Sequence, residues 1–299
     1  MFIITTPYTF LFSRLYLIFI FFIFSIRDFY LFWIFIEILI LLFIGISYSI
    51  FKNSFTQLIF YFLIQTIASF NILIFYIINN PYLLFISLFL KLGIFPFYSW
   101  YINVLFRFPS IIIILARSLH KLPSLYIFYL FLQLEYFNFL YPFIILTIIV
   151  ASIYMLNTND LRYLIIISSI GNNSFLLLGV ITNSLIAFSL FFLNYLVTIF
   201  ILLYLFNNLY SLNISLNLFN VYFSIGLILL LFNLAALPPF PSFILKLYIL
   251  IDIINIIPNR IVFITLILII NTFIVLSYLQ YFFKTFINIY TCSSNYYIF

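Results

Sequence analysis

The sequence predicts an all-α polytopic membrane protein with about 10 transmembrane helices, or 11 at most. Of its 299 residues, 68% are hydrophobic and only 5% are charged, and the mean hydropathy is +1.37. Apolar runs recur along the whole chain, and about 20 helical residues are enough to cross the hydrocarbon core of a bilayer. The runs do not alternate apolar and polar residues as the strands of a transmembrane barrel do.

The first five helices are predicted near residues 8–26, 29–50, 55–78, 81–106 and 110–133. The first run is too long for a signal peptide, contains Arg14 and lacks a small-residue cleavage site. It is therefore predicted to be a retained helix. The fourth helix is interrupted at Gly93 and Pro96, residues that end or kink a helix.

The second five helices are predicted near residues 138–156, 160–181, 183–206, 219–256 and 260–283. The run 219–256 is unusually long and has Pro238, Pro239 and Pro241 in its middle. It is either one long discontinuous helix or two complete helices.

The distribution of Lys and Arg favours the single crossing, because these residues prefer the inner side of short loops. Ten helices then form two five-helix repeats, residues 8–133 and 138–283, with a polar tail at 284–299. An odd number of helices per repeat inverts the second repeat. The count of positive residues on the two sides, four against two, places the N-terminus inside. Lys52, Arg107, Arg162 and Lys284 share the side of the N-terminus, and Arg27 and Arg260 face the other side.

Several kinds of site are excluded by composition. The chain has one cysteine, Cys292, so it holds no internal disulfide, zinc site or cysteine-bound iron–sulfur cluster. Its charge of +6 is spread thinly, so nucleic-acid binding has no support. No cofactor is expected in this chain, and any redox centre belongs to a partner.

Four charged side chains are predicted near the middle of the membrane. A rise of 1.5 Å per residue places Glu37, Lys91, Lys121 and Lys246 roughly 12 to 17 Å deep. A lysine at that depth costs on the order of 2.5 to 3.5 kcal/mol. The alternative is structural ion pairing or snorkelling of the kind expected for Arg14.

These groups are candidates for a proton relay. Burial in hydrocarbon disfavours a protonated amine and a nearby carboxylate favours it, so a moving carboxylate loads and unloads the proton. Backbone groups freed at Gly93 and Pro96 can order water beside Lys91. His120 is a candidate shuttle or an ordinary packing residue. Further polar points, which also serve to hold helices together, are Ser118, Ser168, Ser169, Asn172, Asn173, Ser174 and Asn194.

Six segments give the sequence a resemblance to a known family. The segments are LFWIFIEILILLFIGI, FYFLIQTIASFNILIF, KLGIFPFYSW, HKLPSLYI, NDLRYLIIISSIGNNSF and LPPFPSFILK. They resemble, in order and spacing over residues 25 to 285, the mitochondrially encoded subunit 2 family of NADH dehydrogenase, the antiporter-like membrane subunits of respiratory complex I. The resemblance implies a multi-pass protein of the mitochondrial inner membrane, with its N-terminus on the matrix side.

The resemblance also implies roles for the buried charges. Glu37 and Lys91 form the characteristic pair, Lys121 is the connecting site, and Lys246 is the outlet-side lysine. Other membrane-arm subunits and lipids are the implied partners, and NADH, FMN, iron–sulfur clusters and ubiquinone are handled by partner subunits.

The sequence departs from the family at four positions. The family commonly has His at Tyr98 and near Asn172, and Lys at Tyr163 and near Phe60, so this route has fewer titratable groups. The sequence ends shortly after the last predicted helix, where vertebrate relatives continue into another helix. Two rival functions remain open: a cation/proton antiporter subunit, and a structural spacer of the membrane arm that carries no protons.

Overall fold

The computed structural model describes residues 7–26, 28–50, 55–131, 137–158, 160–182, 184–211, 220–256 and 261–294. In these ranges the chain forms α-helices, one 3-10 turn and no strand, which confirms the predicted all-α membrane fold. The helices are α1 Pro7–Ile23, α2 Phe29–Ile50, α3 Phe55–Ile78, α4 Pro81–Leu92, α5 Tyr98–Phe106, α6 Ser110–Arg117, α7 Leu122–Phe131, α8 Phe137–Leu156, α9 Leu161–Ile181, α10 Leu185–Ser211, α11 Asn220–Ala235, α12 Pro241–Ile256 and α13 Ile261–Ser294.

Six helical stretches among the described residues are long and apolar enough to cross a membrane, and shorter apolar helices accompany them. One of the six, Ile111–Phe131, joins α6 and α7 through the 3-10 turn. Another, Arg162–Ile181, is buried along its most apolar stretch. The others are Phe29–Ile50, Phe55–Ile78, Phe139–Leu156 and Val262–Tyr281.

The chain divides into two compact units, Met1–Phe143 and Ile144–Phe299. The predicted repeats 8–133 and 138–283, and the inversion of the second, stay predictions. α13 continues to Ser294, past the predicted helix end at residue 283. The remaining residues of the predicted tail, and Arg27, Lys52 and Arg260 of the topology argument, lie outside the described residues.

The first helix break separates α4 from α5 at the predicted residues Gly93 and Pro96. Gly93 has a left-handed backbone with φ 68°. The N–H of Ile94 donates to the carbonyl of Phe89 at 3.1 Å, and the N–H of Phe97 donates to the carbonyl of Ile94 at 2.7 Å. These bonds satisfy carbonyls that the end of a helix leaves open, so the break is an ordered turn.

The second break separates α11 from α12 at Pro238 and Pro239, and its backbone repeats the same pattern. Ala236 has φ 58°. The N–H of Leu237 donates to the carbonyl of Phe232 at 3.1 Å, and that of Phe240 to the carbonyl of Leu237 at 2.8 Å. α11 and α12 have 16 residues each, fewer than the roughly 20 of a full span. Their lengths favour one discontinuous crossing.

A third break was not predicted. The expected unbroken helix over 110–133 is wrong, because α6 ends at Arg117 and a 3-10 turn, Leu119–Lys121, precedes α7. Ser118, between them, leaves the helical region with φ −110° and ψ −88°. Pro123 follows and has no N–H to donate to the carbonyl of Leu119, as a continuous helix requires. Lys121 therefore lies at a helix break, as Lys91 does.

Candidate functional site

Glu37 lies within α2 and is hydrogen-bonded to α3. The hydroxyl of Ser69, a fully buried residue of α3, donates to Oε1 of Glu37. The indole N–H of Trp33 donates to the carbonyl oxygen of Ser69 at 2.9 Å. Because residues four apart share a helix face, Trp33 and Glu37 both reach the same residue of α3. These bonds hold the carboxylate-bearing face of α2 against α3.

Lys91 lies in the last turn of α4, just before Gly93, and is 8% exposed. The open carbonyls at a helix C-terminus carry partial negative charge, which favours a cation there. The charges of Lys91 and Glu37 also interact. The structure thus brings the predicted acid and amine of the first unit within electrostatic reach of each other.

Lys121 is buried in the 3-10 turn and contacts the helix that follows the first break. Its Nζ lies 4.6 Å from the centre of the Tyr101 ring, a cation–π contact. The same ring packs on Gly93, where an added Cβ would lie 2.6 Å from Cγ of Tyr101. Tyr101 therefore joins the Gly93 turn to Lys121. The buried Arg117, one turn before Lys121, also interacts electrostatically with it.

His120 is enclosed by aromatic side chains. Its Nδ1 is hydrogen-bonded to the hydroxyl of Tyr16 at 3.1 Å, and its ring centre lies 4.9 Å from that of Phe43. The charges of Lys91 and Lys121 both act on His120. Both lysines therefore act electrostatically on the imidazole, and the shuttle role of His120 stays a prediction.

Lys246 is buried in α12 of the second unit, and its surroundings are neutral. Its Nζ donates to Oδ1 of Asn271 on α13 at 3.3 Å, and it lies 4.5 Å from the centre of the Phe175 ring on α9. Among the described residues these are its polar and aromatic contacts. Lys246 therefore differs from Lys91, whose nearby polar group is a carboxylate.

Three polar residues brace the second break. The side-chain Oδ1 of Asn233 on α11 accepts from the N–H of Ser242 at 3.2 Å. The backbone carbonyl of Asn233 accepts from the Ser242 hydroxyl. The amide of Asn233 also donates to Oδ1 of Asn194 on α10 at 3.3 Å. We call Asn194, Asn233 and Ser242 the amide brace. It fixes the first turn of α12, one turn before Lys246.

The predicted serines direct their hydroxyls into their own helices. Ser168 and Ser169 donate to the carbonyls of Ile165 and Ile166, and Ser118 donates to the carbonyl of Ile114. A hydroxyl has one proton but two acceptor lone pairs. These serines can accept a hydrogen bond from water, while their own protons are already used.

Sequence reasoning missed the neutral partners of the charged residues. These partners are ordinary residues of apolar helices, and nothing in the sequence pairs helices that are far apart in the chain. The one available signal was the spacing of Trp33 and Glu37, which lie one turn apart on the same face of α2 and can therefore contact the same neighbouring helix. The missed residues are Tyr16, Trp33, Ser69, Tyr101, Asn233, Ser242 and Asn271.

Buried amines at breaks of membrane-spanning helices are typical of ion-translocating membrane proteins with discontinuous helices. The sequence matches the family described as NADH:quinone oxidoreductase/Mrp antiporter, transmembrane, over residues 42–272. The chain therefore belongs to this family. No curated protein matches its sequence.

Two solved structures share the fold. A chain of respiratory complex I from Thermus thermophilus with bound aureothin superposes with a TM-score of 0.71 at 17% identity, over 85% of this chain and 65% of that chain. A chain of the Mrp complex from Dietzia sp. DQ12-45-1b also gives 0.71, at 16% identity, over 85% of this chain and 56% of that one. This chain thus spans less than two thirds of the length of either of those two chains.

Proposed function

We propose that the chain is an antiporter-like, proton-translocating membrane-arm subunit of respiratory NADH:ubiquinone oxidoreductase. The observation that carries the proposal is a buried amine, Lys91, at an ordered helix break and in electrostatic interaction with Glu37. Structural spacers have no need of a buried amine, since an apolar residue of similar volume is often as stable. The resemblance of six segments to subunit 2 supports a location in the mitochondrial inner membrane, with the N-terminus on the matrix side.

Glu37 and Lys91 are the proposed entry pair of the relay. A proton on Lys91 is stabilised by ionised Glu37 and disfavoured by the surrounding apolar side chains. A small separation of the two groups therefore releases the proton. The turn at Gly93 follows Lys91 directly and lets the end of α4 move without breaking the hydrogen bonds of a continuous helix.

Lys121 and Lys246 are the proposed later stations. Lys121 lies at the third break, and His120, which interacts electrostatically with both Lys91 and Lys121, is the proposed shuttle. Lys246 is the proposed outlet. Among the described residues its contacts with Asn271 and Phe175 are neutral, which suits release of the proton.

The electron-transfer chemistry belongs to partner subunits in this proposal. The chain carries no cofactor, and neighbouring antiporter-like subunits and lipids surround it. It is thus part of an H+-translocating NADH:ubiquinone reductase without performing redox catalysis itself. Conformational changes driven by quinone reduction elsewhere move the charges at the helix breaks.

The test is proton pumping by the assembled complex in lipid vesicles, with Lys91→Met as the variant. Loss of the amine is expected to lower proton pumping about tenfold or more, since a positioned proton carrier contributes at least that much. Arg14→Met is the matched control, because Arg14 is exposed on α1 and lies against Phe10. Unchanged pumping with intact assembly in Lys91→Met would make the chain a spacer.

A second candidate is the cation/proton antiporter subunit, because the Mrp structure gives the same TM-score as the complex I structure. It predicts sodium uptake that tracks turnover and is lost in Lys91→Met. The proposed function predicts proton movement that is unchanged when sodium is replaced by choline.

A further inference from the structure

The hydroxyl of Ser69 has one proton and two acceptors within reach. One acceptor is Oε1 of Glu37. The other is the carbonyl oxygen of Thr66, one turn earlier on α3, at 2.8 Å. Since a single O–H donates to one acceptor at a time in a strong bond, the bond that Ser69 makes depends on which acceptor is the better one.

The protonation state of Glu37 decides between the two acceptors. An ionised carboxylate attracts the Ser69 proton, because bonds to charged groups are about twice as strong as neutral ones. A protonated Glu37 is itself a donor, and its O–H can donate to a lone pair of the Ser69 oxygen. The Ser69 hydroxyl then donates to Thr66. Both states leave the buried groups satisfied, which an apolar interior requires.

Trp33 adds a second hydrogen bond between the helices that carry Glu37 and Ser69. Its indole N–H donates to the Ser69 carbonyl from the same face of α2 that carries Glu37. α2 and α3 are therefore joined by a second bond that does not depend on the protonation of Glu37. Only the Ser69 hydroxyl has to rotate when the proton arrives or leaves.

We propose that Ser69 is a positioning residue for Glu37, and that its hydroxyl reverses its hydrogen bond each time Glu37 gains or loses a proton. The inference rests on the proposed function, since it needs Glu37 to exchange protons. The inference gives a role to Ser69, a neutral residue of α3 that is hydrogen-bonded to both Trp33 and Glu37.

The test compares Ser69→Ala, Ser69→Cys and Ser69→Thr in the assembled complex in lipid vesicles. Two readouts are used: pumping rate, and the infrared band of the Glu37 carboxyl group during turnover, assigned by its loss in Glu37→Gln. Ser69→Ala removes the donor and is expected to shift the band and to slow pumping about tenfold. Ser69→Cys, a weak donor of similar size, is expected to be intermediate, and Ser69→Thr is expected to restore the band.

Ser47→Ala is the matched control. Ser47 is a buried serine of α2 whose hydroxyl donates to the carbonyl of Ile44 in its own helix at 2.9 Å, so the Glu37 band is expected to stay in place. An unshifted band in both Ser69→Ala and Ser69→Cys would overturn the inference, and loss of pumping in Glu37→Gln would still support the proposed function. Normal pumping in Glu37→Gln would overturn the proposed function itself.

Discussion

The two broken helices have the same backbone turn but place different groups around their lysines. Gly93 and Ala236 both adopt a left-handed backbone, and the hydrogen bonds around them have the same spacing. The first turn is packed by an aromatic ring and its lysine interacts with a carboxylate. The second is held by the amide brace and its lysine donates to a neutral amide.

Under the proposed function, one turn geometry would serve two tasks. An amine beside a carboxylate holds its proton until the pair separates, whereas an amine beside an amide loses the proton more easily. The turns provide the same local freedom in both cases. The neighbouring helices, α2 in the first unit and α13 in the second, supply the difference.

The largest effect is expected from Gly93→Ala, because this position needs both a left-handed backbone and space. The left-handed conformation costs about 1 to 2 kcal/mol for a residue with a Cβ, and overpacking against Tyr101 adds about 1 to 3 kcal/mol. Thermal unfolding of the purified complex should show this loss of stability. Ala236→Gly at the equivalent position should instead be neutral or stabilising, by about 1 kcal/mol at most. Equal losses of stability in Gly93→Ala and Ala236→Gly would contradict the left-handed backbone that the two positions share.

Asn271 tests whether the neutral partner of Lys246 matters. Asn271→Leu leaves the buried amine without its acceptor and should destabilise the protein by about 1.5 to 3 kcal/mol. Asn271→Asp gives the second break a carboxylate, as the first has. Pumping should fall about tenfold in this variant without loss of assembly, since a fixed ion pair resists proton release. Wild-type pumping in Asn271→Asp would show that neutrality at the second break is irrelevant.

The amide brace should have a smaller effect. Asn233→Ala removes the side-chain bonds to Ser242 and Asn194 and should cost about 1 to 3 kcal/mol, measured as a lower thermal stability. Asn194→Ala removes one bond of 3.3 Å and should cost less, about 0.5 to 1.5 kcal/mol. The reverse order would show that the brace does not act through Asn233.

The smallest effect is expected from Tyr16→Phe, which keeps the ring and removes the hydrogen bond to His120. The loss should be about 0.5 to 1.5 kcal/mol in stability. If His120 is the shuttle, pumping should fall in Tyr16→Phe as well, because the imidazole loses the bond that orients it. A fall in stability with no change in pumping would leave His120 as a packing residue.

Much of the fold could be predicted because its signals are local. Apolar runs bounded by polar residues gave the helices, and Gly93, Pro96 and the prolines at 238 and 239 gave two breaks. The third break was missed because a single proline, Pro123, was placed inside a continuous run. Its missing N–H was the available signal.

The site could be predicted only in part, for a physical reason. A charge within an apolar run is visible in the sequence, so Glu37 and the three lysines could be named as candidates, and their role in a relay stays a prediction. Their neutral partners depend on which helices pack together and at what rotation. Ser69 and Asn271 are each one of many polar residues in apolar helices, and only the packing distinguishes them.

The most direct test of the central claim, that both breaks serve one proton route, is the number of protons pumped per electron in Lys91→Met and Lys246→Met complexes, measured side by side in vesicles. The account predicts the same fall in both variants, with intact assembly and with Arg14→Met unchanged. Full pumping in Lys246→Met beside a fall in Lys91→Met would contradict the claim.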